Sequence, residues 1–104
     1  MQIKPLVFVF SAFLAVSSQA QADAEAAKAK ATSVCAGCHG PLGVSAADTF
    51  PNLAGQKKTY LVNALKSFRE KTRTNGIMNG MAAGLTDTEI DDLATYFSGL
   101  TPGH

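Results

Sequence analysis

This chain predicts an all-α domain of three to five helices with long loops, on three observations. Two stretches keep an apolar period of 3.6 residues, no stretch alternates as a strand does, and a long segment punctuated by glycine and proline lies before the stronger helices. Each element follows from its own residues.

The chain opens with Lys4, an apolar run "PLVFVFSAFLAV" and the small, polar string "SSQAQA". Ala20-Gln21-Ala22 fits a small-x-small cleavage site, so residues 1–22 read as a secretory signal peptide that is removed. A membrane anchor is the alternative, but the run from Leu6 to Val16 has 11 residues, against about 18 for a spanning helix. The expectation is a single domain over 23–104, exported to the periplasm and without a stable membrane anchor once cleaved. Its 82 residues bury a thin core, and domains of that size usually need a disulfide, a metal or a cofactor.

The segment "ADAEAAKAKA" is built of good helix formers with Asp23 as a candidate N-cap, which predicts a helix from Ala24 to Cys35. Gly37, Gly40, Pro41, Gly43, Pro51 and Gly55 then break any period, giving a loop long for so small a domain. Leu42, Val44, Phe50 and Leu53, spaced through it, imply that it wraps around something. From Lys57 to Lys71, Leu61, Ala64, Leu65 and Phe68 fall on one helical face, with Lys57, Lys58, Lys66 and Glu70 opposite. "TRTNG" leads into "IMNGMAAGL", and Gly76, Gly80 and Gly84 across the two disfavour a long helix. The last helix is announced by a capping box, Thr86 with Glu89, with Leu85 and Ile90 as the hydrophobic staple and Gly99 as the stop.

After cleavage the formal charge is zero, which gives no sign of a nucleic-acid partner. Lys57, Lys58, Lys66, Arg69, Lys71 and Arg73 precede Asp87, Glu89, Asp91 and Asp92, a lengthwise asymmetry that either orients a charged partner or merely marks two solvated faces.

The only two cysteines stand in "CAGCH" at Cys35, Cys38 and His39. A zinc site would need a fourth ligand, and His104 is the one Cys or His left. A redox dithiol belongs at the start of a helix following a strand, whereas this pair follows a helix and precedes a loop. A disulfide three residues apart restrains the unfolded chain little and leaves His39 unexplained. Cys-x-x-Cys-His is also the attachment signature of c-type haem, in which both thiols add to the porphyrin and the histidine ligates iron. An exported chain with a thin core and an apolar loop suits that fourth reading. A sixth iron ligand would then come from Met78, Met81 or His104. Methionine raises the potential relative to a second imidazole, and the glycine-rich surroundings of Met78 and Met81 favour one of the two, with the other as packing.

The run from "CAGCH" through "PNLAGQ" and Tyr60-Leu61 to "FREKTRTNGIMNGMAAGLTDTEIDDLATYFSGL" resembles the small bacterial class I c-type cytochromes over nearly all of residues 23–104. The resemblance implies a compact cytochrome c-like fold around one haem c, held by Cys35 and Cys38 and ligated by His39 and Met78. The resemblance also ranks the methionines: in similar sequences the ligand is the methionine seven residues before the leucine that precedes the capping Thr or Ser, which here is Met78, seven before Leu85, rather than Met81. The resemblance further implies that the Pro51 carbonyl, 12 residues after His39, accepts a hydrogen bond from the other imidazole nitrogen. Arg73 and Asn75 are placed to meet a haem propionate or to be solvated loop groups. The function implied is electron transfer by a monomer with redox proteins as partners, without enzymatic bond breaking. A haem-bearing docking subunit of a larger oxidoreductase and a ligand-binding haem sensor are the alternatives.

Overall fold

The computed structural model describes residues 2–7 and 16–103. Most of the apolar run read as a signal, and the terminal His104, lie outside the described residues. Helix α1 (Val16–Lys30) begins upstream of the expected start at Ala24, and Asp23 is inside it rather than capping it. The reason is local: from Val16 to Lys30 there is no glycine or proline, and alanine, glutamine and lysine carry helix propensity straight across the expected cleavage point.

After α1 the helix widens into one π turn, Ala31–Cys35, and then tightens again as α2 (Ala36–His39). Two hydroxyls accompany the widening, Thr32 Oγ1 donating to the Lys28 carbonyl at 2.9 Å and Ser33 Oγ to that of Ala29 at 2.6 Å. Such back-bonding competes with backbone donors for the same carbonyls. The three residues of the "CAGCH" signature that carry chemistry therefore sit at the end of a helical run that continues four residues past the expected end at Cys35.

Helix α3 (Lys58–Arg69), the seven-residue α4 (Gly76–Ala82) and α5 (Asp87–Ser98) complete the fold, and no strand occurs among the described residues. The capping box is present as read: Thr86 Oγ1 accepts from the Glu89 N–H at 3.1 Å, and the Glu89 carboxylate accepts from the Thr86 N–H at 3.2 Å.

One core joins α1, α3 and α5. Ala27 from α1 and Ala31 just after it face Leu61 of α3 and Leu93, Ala94 and Phe97 of α5. Small residues on α1 let α5 approach closely, and Ala94 and Ile90 are fully buried. Ion pairs brace the same contacts: Lys30 with Glu89, Lys58 with Asp91 at 3.2 Å, and Arg69 with Asp87 at 2.8 Å. Arg69 also donates to the Leu85 carbonyl at 3.1 Å, tying the end of α3 to the corner before α5. Two of these pairs join bases of α3 to acids of α5, so much of the lengthwise charge asymmetry is spent within the domain.

The loop from Gly40 to Lys57 has 18 residues and is folded on itself. The Gly43 carbonyl accepts from Leu53 and Ala54 at 2.8 and 2.9 Å, the Ser45 N–H donates to Asn52 Oδ1 at 2.8 Å, and Ser45 Oγ donates to the Phe50 carbonyl at 2.5 Å. Gly43 is buried at φ 72°, in the left-handed region where a side chain is strained. Leu42, expected to help the loop wrap, is instead 70% exposed, because the turn at Gly43 carries it to the outside. The C-terminal tail lies across this loop: Pro102 packs so close to Gly55 that a Cβ there would come within 2.3 Å of it, and Gly103 is seated against Val44.

Candidate functional site

A mainly apolar cavity of about 450 Å³ lies between the end of α2, the loop and helices α3, α4 and α5. That volume is in the range of roughly 300–1,000 Å³ usual for small-molecule and cofactor sites. Cys35, Cys38, His39 and Met78 all line it, and Leu61, Phe68, Ala94 and Phe97 supply apolar wall.

His39 is 6% exposed, and its Nδ1 lies 2.8 Å from the Pro51 carbonyl oxygen. A carbonyl only accepts, so Nδ1 carries the proton and Nε2 keeps its lone pair for a ligand. The internal bonds of the Gly40–Lys57 loop hold that carbonyl in place: Asn52 and Ser45 fasten the residues on either side of Pro51. Phe50 meets the imidazole edge to face at 6.3 Å between ring centres.

Cys35 and Cys38 are both unpaired thiols, half-buried. Burial pushes the Cys35 thiol up, with Lys30 opposing the shift. That direction is opposite to the one that activates a redox dithiol. Among the described residues no group of three His, Cys, Asp or Glu side chains is arranged to hold a metal ion.

Both methionines of α4 reach the cavity wall, but Met81 is 54% exposed and Met78 is partly buried. The short helix is capped by Asn75, whose side-chain oxygen accepts from the N–H groups of Ile77 at 3.1 Å and Met78 at 3.0 Å. Asn75 thus has a structural task, while Arg73 lies over the Phe68 ring at 4.6 Å with both residues on the cavity wall. Tyr60 is an exposed wall residue, and Tyr96 packs against Phe97 at 5.3 Å instead of lining the cavity.

Sequence reasoning missed Asn79. Its amide donates to the carbonyls of Phe68 and Arg73, both at 2.9 Å, and its oxygen accepts from the Asn75 N–H at 2.8 Å. Its partners are 4 to 11 residues away and all backbone, so only the adjacent glycine and methionine marked the neighbourhood.

Two thiols on one helical turn, an imidazole with its Nδ1 engaged, a thioether on another element and walls that are otherwise apolar fit a covalently attached haem. The cytochrome c family model matches residues 24–101. Cytochrome c-554(548) of Halomonas halodenitrificans is 43% identical over 67 residues, which cover 62% of this chain and 81% of that protein. Cytochrome c4 of Pseudomonas aeruginosa is 45% identical over 71 residues, 64% of this chain but 35% of the relative. The solved structure of Acidithiobacillus ferrooxidans cytochrome c4 superposes with a TM-score of 0.71 at 36% identity, covering 76% of this chain and 50% of that one. The chain therefore spans most of the first relative and half or less of the cytochromes c4.

Proposed function

The chain belongs to the cytochrome c family, and from that premise we propose that it is a periplasmic one-electron carrier whose haem is bound by Cys35 and Cys38 and ligated by His39 and Met78. Its single Cys-x-x-Cys-His motif specifies one covalent haem c. The observation that carries the reading is the convergence on one apolar cavity of both thiols, the Pro51-bonded His39 and the thioether of Met78.

When bound, the haem supplies an iron that accepts and releases a single electron between its ferric and ferrous states. The residues of the chain do the rest. Cys35 and Cys38 fix the macrocycle as thioethers. The Pro51 carbonyl holds the His39 ring and makes Nε2 a stronger donor. Met78 would offer a soft thioether that favours ferrous iron, and Leu61, Phe68, Ala94 and Phe97 would exclude water, which favours the form of lower charge. His39 and Met78 would both hold the iron in either oxidation state, so the residues of the site would have little to rearrange on electron transfer.

Residues 1–22 serve in this reading as the export signal, and 23–104 as the single functional domain, a monomer that meets other redox proteins. No described helix is long and apolar enough to cross a membrane.

The test is a redox titration of the purified holoprotein with spectra at each potential, together with the mass of the exported chain. One one-electron wave, a low-spin ferric spectrum with a sulfur-to-iron band and an N-terminus at Asp23 are expected. A high-spin ferric spectrum, with rapid carbon monoxide binding once the protein is reduced, would instead identify a ligand-binding sensor.

A further inference from the structure

We propose that Asn79 is the positioning residue that keeps the sulfur of Met78 on the iron. This rests on the ligand assignment above. Met78 sits in a helix of seven residues containing two glycines, too short to hold a side chain firmly by its own hydrogen bonds. The stretch before it, from Glu70 to Asn75, has no regular structure. Something must fix α4 against the rest of the domain, and the next residue in sequence does so.

The three bonds of Asn79 have distinct effects. Donation to the Phe68 carbonyl anchors α4 to the last turn of α3, and Phe68 is itself a buried wall residue of the cavity. Donation to the Arg73 carbonyl closes the irregular stretch on the same point. Acceptance from the Asn75 N–H pins the residue whose side chain caps the Met78 N–H. The amide thus joins the end of α3, the connecting loop and the N-cap of α4 beside the ligand. Met81, three residues on, shares the cavity wall but is half exposed, so slack in α4 would bring a second thioether or water into competition for the iron.

The experiment compares holoproteins carrying Asn79→Ala, Asn79→Asp and Met78→Ala, read by the ferric sulfur-to-iron band, the reduction potential, the rate of cyanide binding to ferric haem and helix content. Asn79→Ala is expected to keep its haem and helices, weaken the band, lower the potential and bind cyanide about tenfold faster, since hydrogen bonds of ordinary strength are lost at the ligand's own helix. Asn79→Asp keeps the size and the acceptor oxygen but neither donation, and so should resemble Asn79→Ala. It stands in for that variant should the alanine form fail to accumulate.

A wild-type band, potential and cyanide rate in Asn79→Asp would overturn the proposal, since the ties to the Phe68 and Arg73 carbonyls would then play no part in holding Met78. A band that survives in Met78→Ala would overturn the ligand assignment itself, a failure distinguishable from that of Asn79.

Discussion

Replacing both Cys35 and Cys38 by alanine removes the two points of covalent attachment, and the polypeptide without its haem should not fold. The site measures about 450 Å³, and at about 24 cal/mol per Å³ of cavity an unfilled space of that size would cost about 11 kcal/mol. A domain of 82 residues has a total stability of only roughly 4–12 kcal/mol. Collapse of the walls and entry of water reduce the cost, yet half of it would still bring the native state near its unfolding midpoint. The wall residues include Leu61, Leu93, Ala94 and Phe97, which are also the larger part of the core joining α1, α3 and α5, so the apo chain would keep little beyond Ala27, Ala31 and Ile90 to pack on. Far-ultraviolet circular dichroism of the purified double variant is expected to show little helix and no cooperative thermal transition. Native helix content with a sharp melt in the absence of haem would refute the reasoning, because the helices would then be packing on one another and not around the cofactor.

Three further outcomes are expected. Met78→Ala should abolish the ferric sulfur-to-iron band while Met81→Ala retains it; optical spectra of the two variants decide the ranking. Gly43→Ala should destabilise the holoprotein by roughly 2–4 kcal/mol in denaturant titrations, from the left-handed backbone and from overpacking, since the new Cβ would stand 3.0 Å from the Ala54 nitrogen and 3.2 Å from the Phe97 ring. Acid should weaken the bracing of α5: hydrogen bonding from Arg69 holds the Asp87 carboxyl below its usual range, and Lys30 does the same for Glu89. Groups with depressed values stabilise the fold above about pH 4 and lose that contribution as pH falls further. Asp92, raised by burial, titrates in the opposite sense. Glu89→Gln retains the capping box but not the charge, so its urea midpoint should lie below that of the wild type at neutral pH and converge with it in acid.

What the sequence revealed was chiefly what short-range chemistry decides. The capping box at Thr86 and Glu89 and the apolar face of α3 each lie within two or three turns of chain, and both were readable in full. The start of α1 was not, because helix propensity continues through Asp23 and nothing in "SSQAQADAEAA" marks a boundary. The π turn before Cys35 depends on hydroxyl back-bonding that propensity does not register. Leu42 was misplaced since apolar character alone does not say which way a turn at Gly43 will face it. Asn79 and Arg69 were invisible in their roles: each bonds to backbone carbonyls 11 or 16 residues away, partners that exist only once α3, α4 and α5 have met.

The tail that lies over Gly55 and Val44 makes the far end of the chain part of the mechanical frame of the iron. Removing Pro102 and Gly103 would delete no residue that lines the cavity, yet it would uncover Val44 and Gly55, which flank the hydrogen-bonded stretch that presents the Pro51 carbonyl to His39. Damage at the last few residues would then strip cover from the loop behind the His39 ring, so distance along the polypeptide is a poor guide to which lesions reach the site.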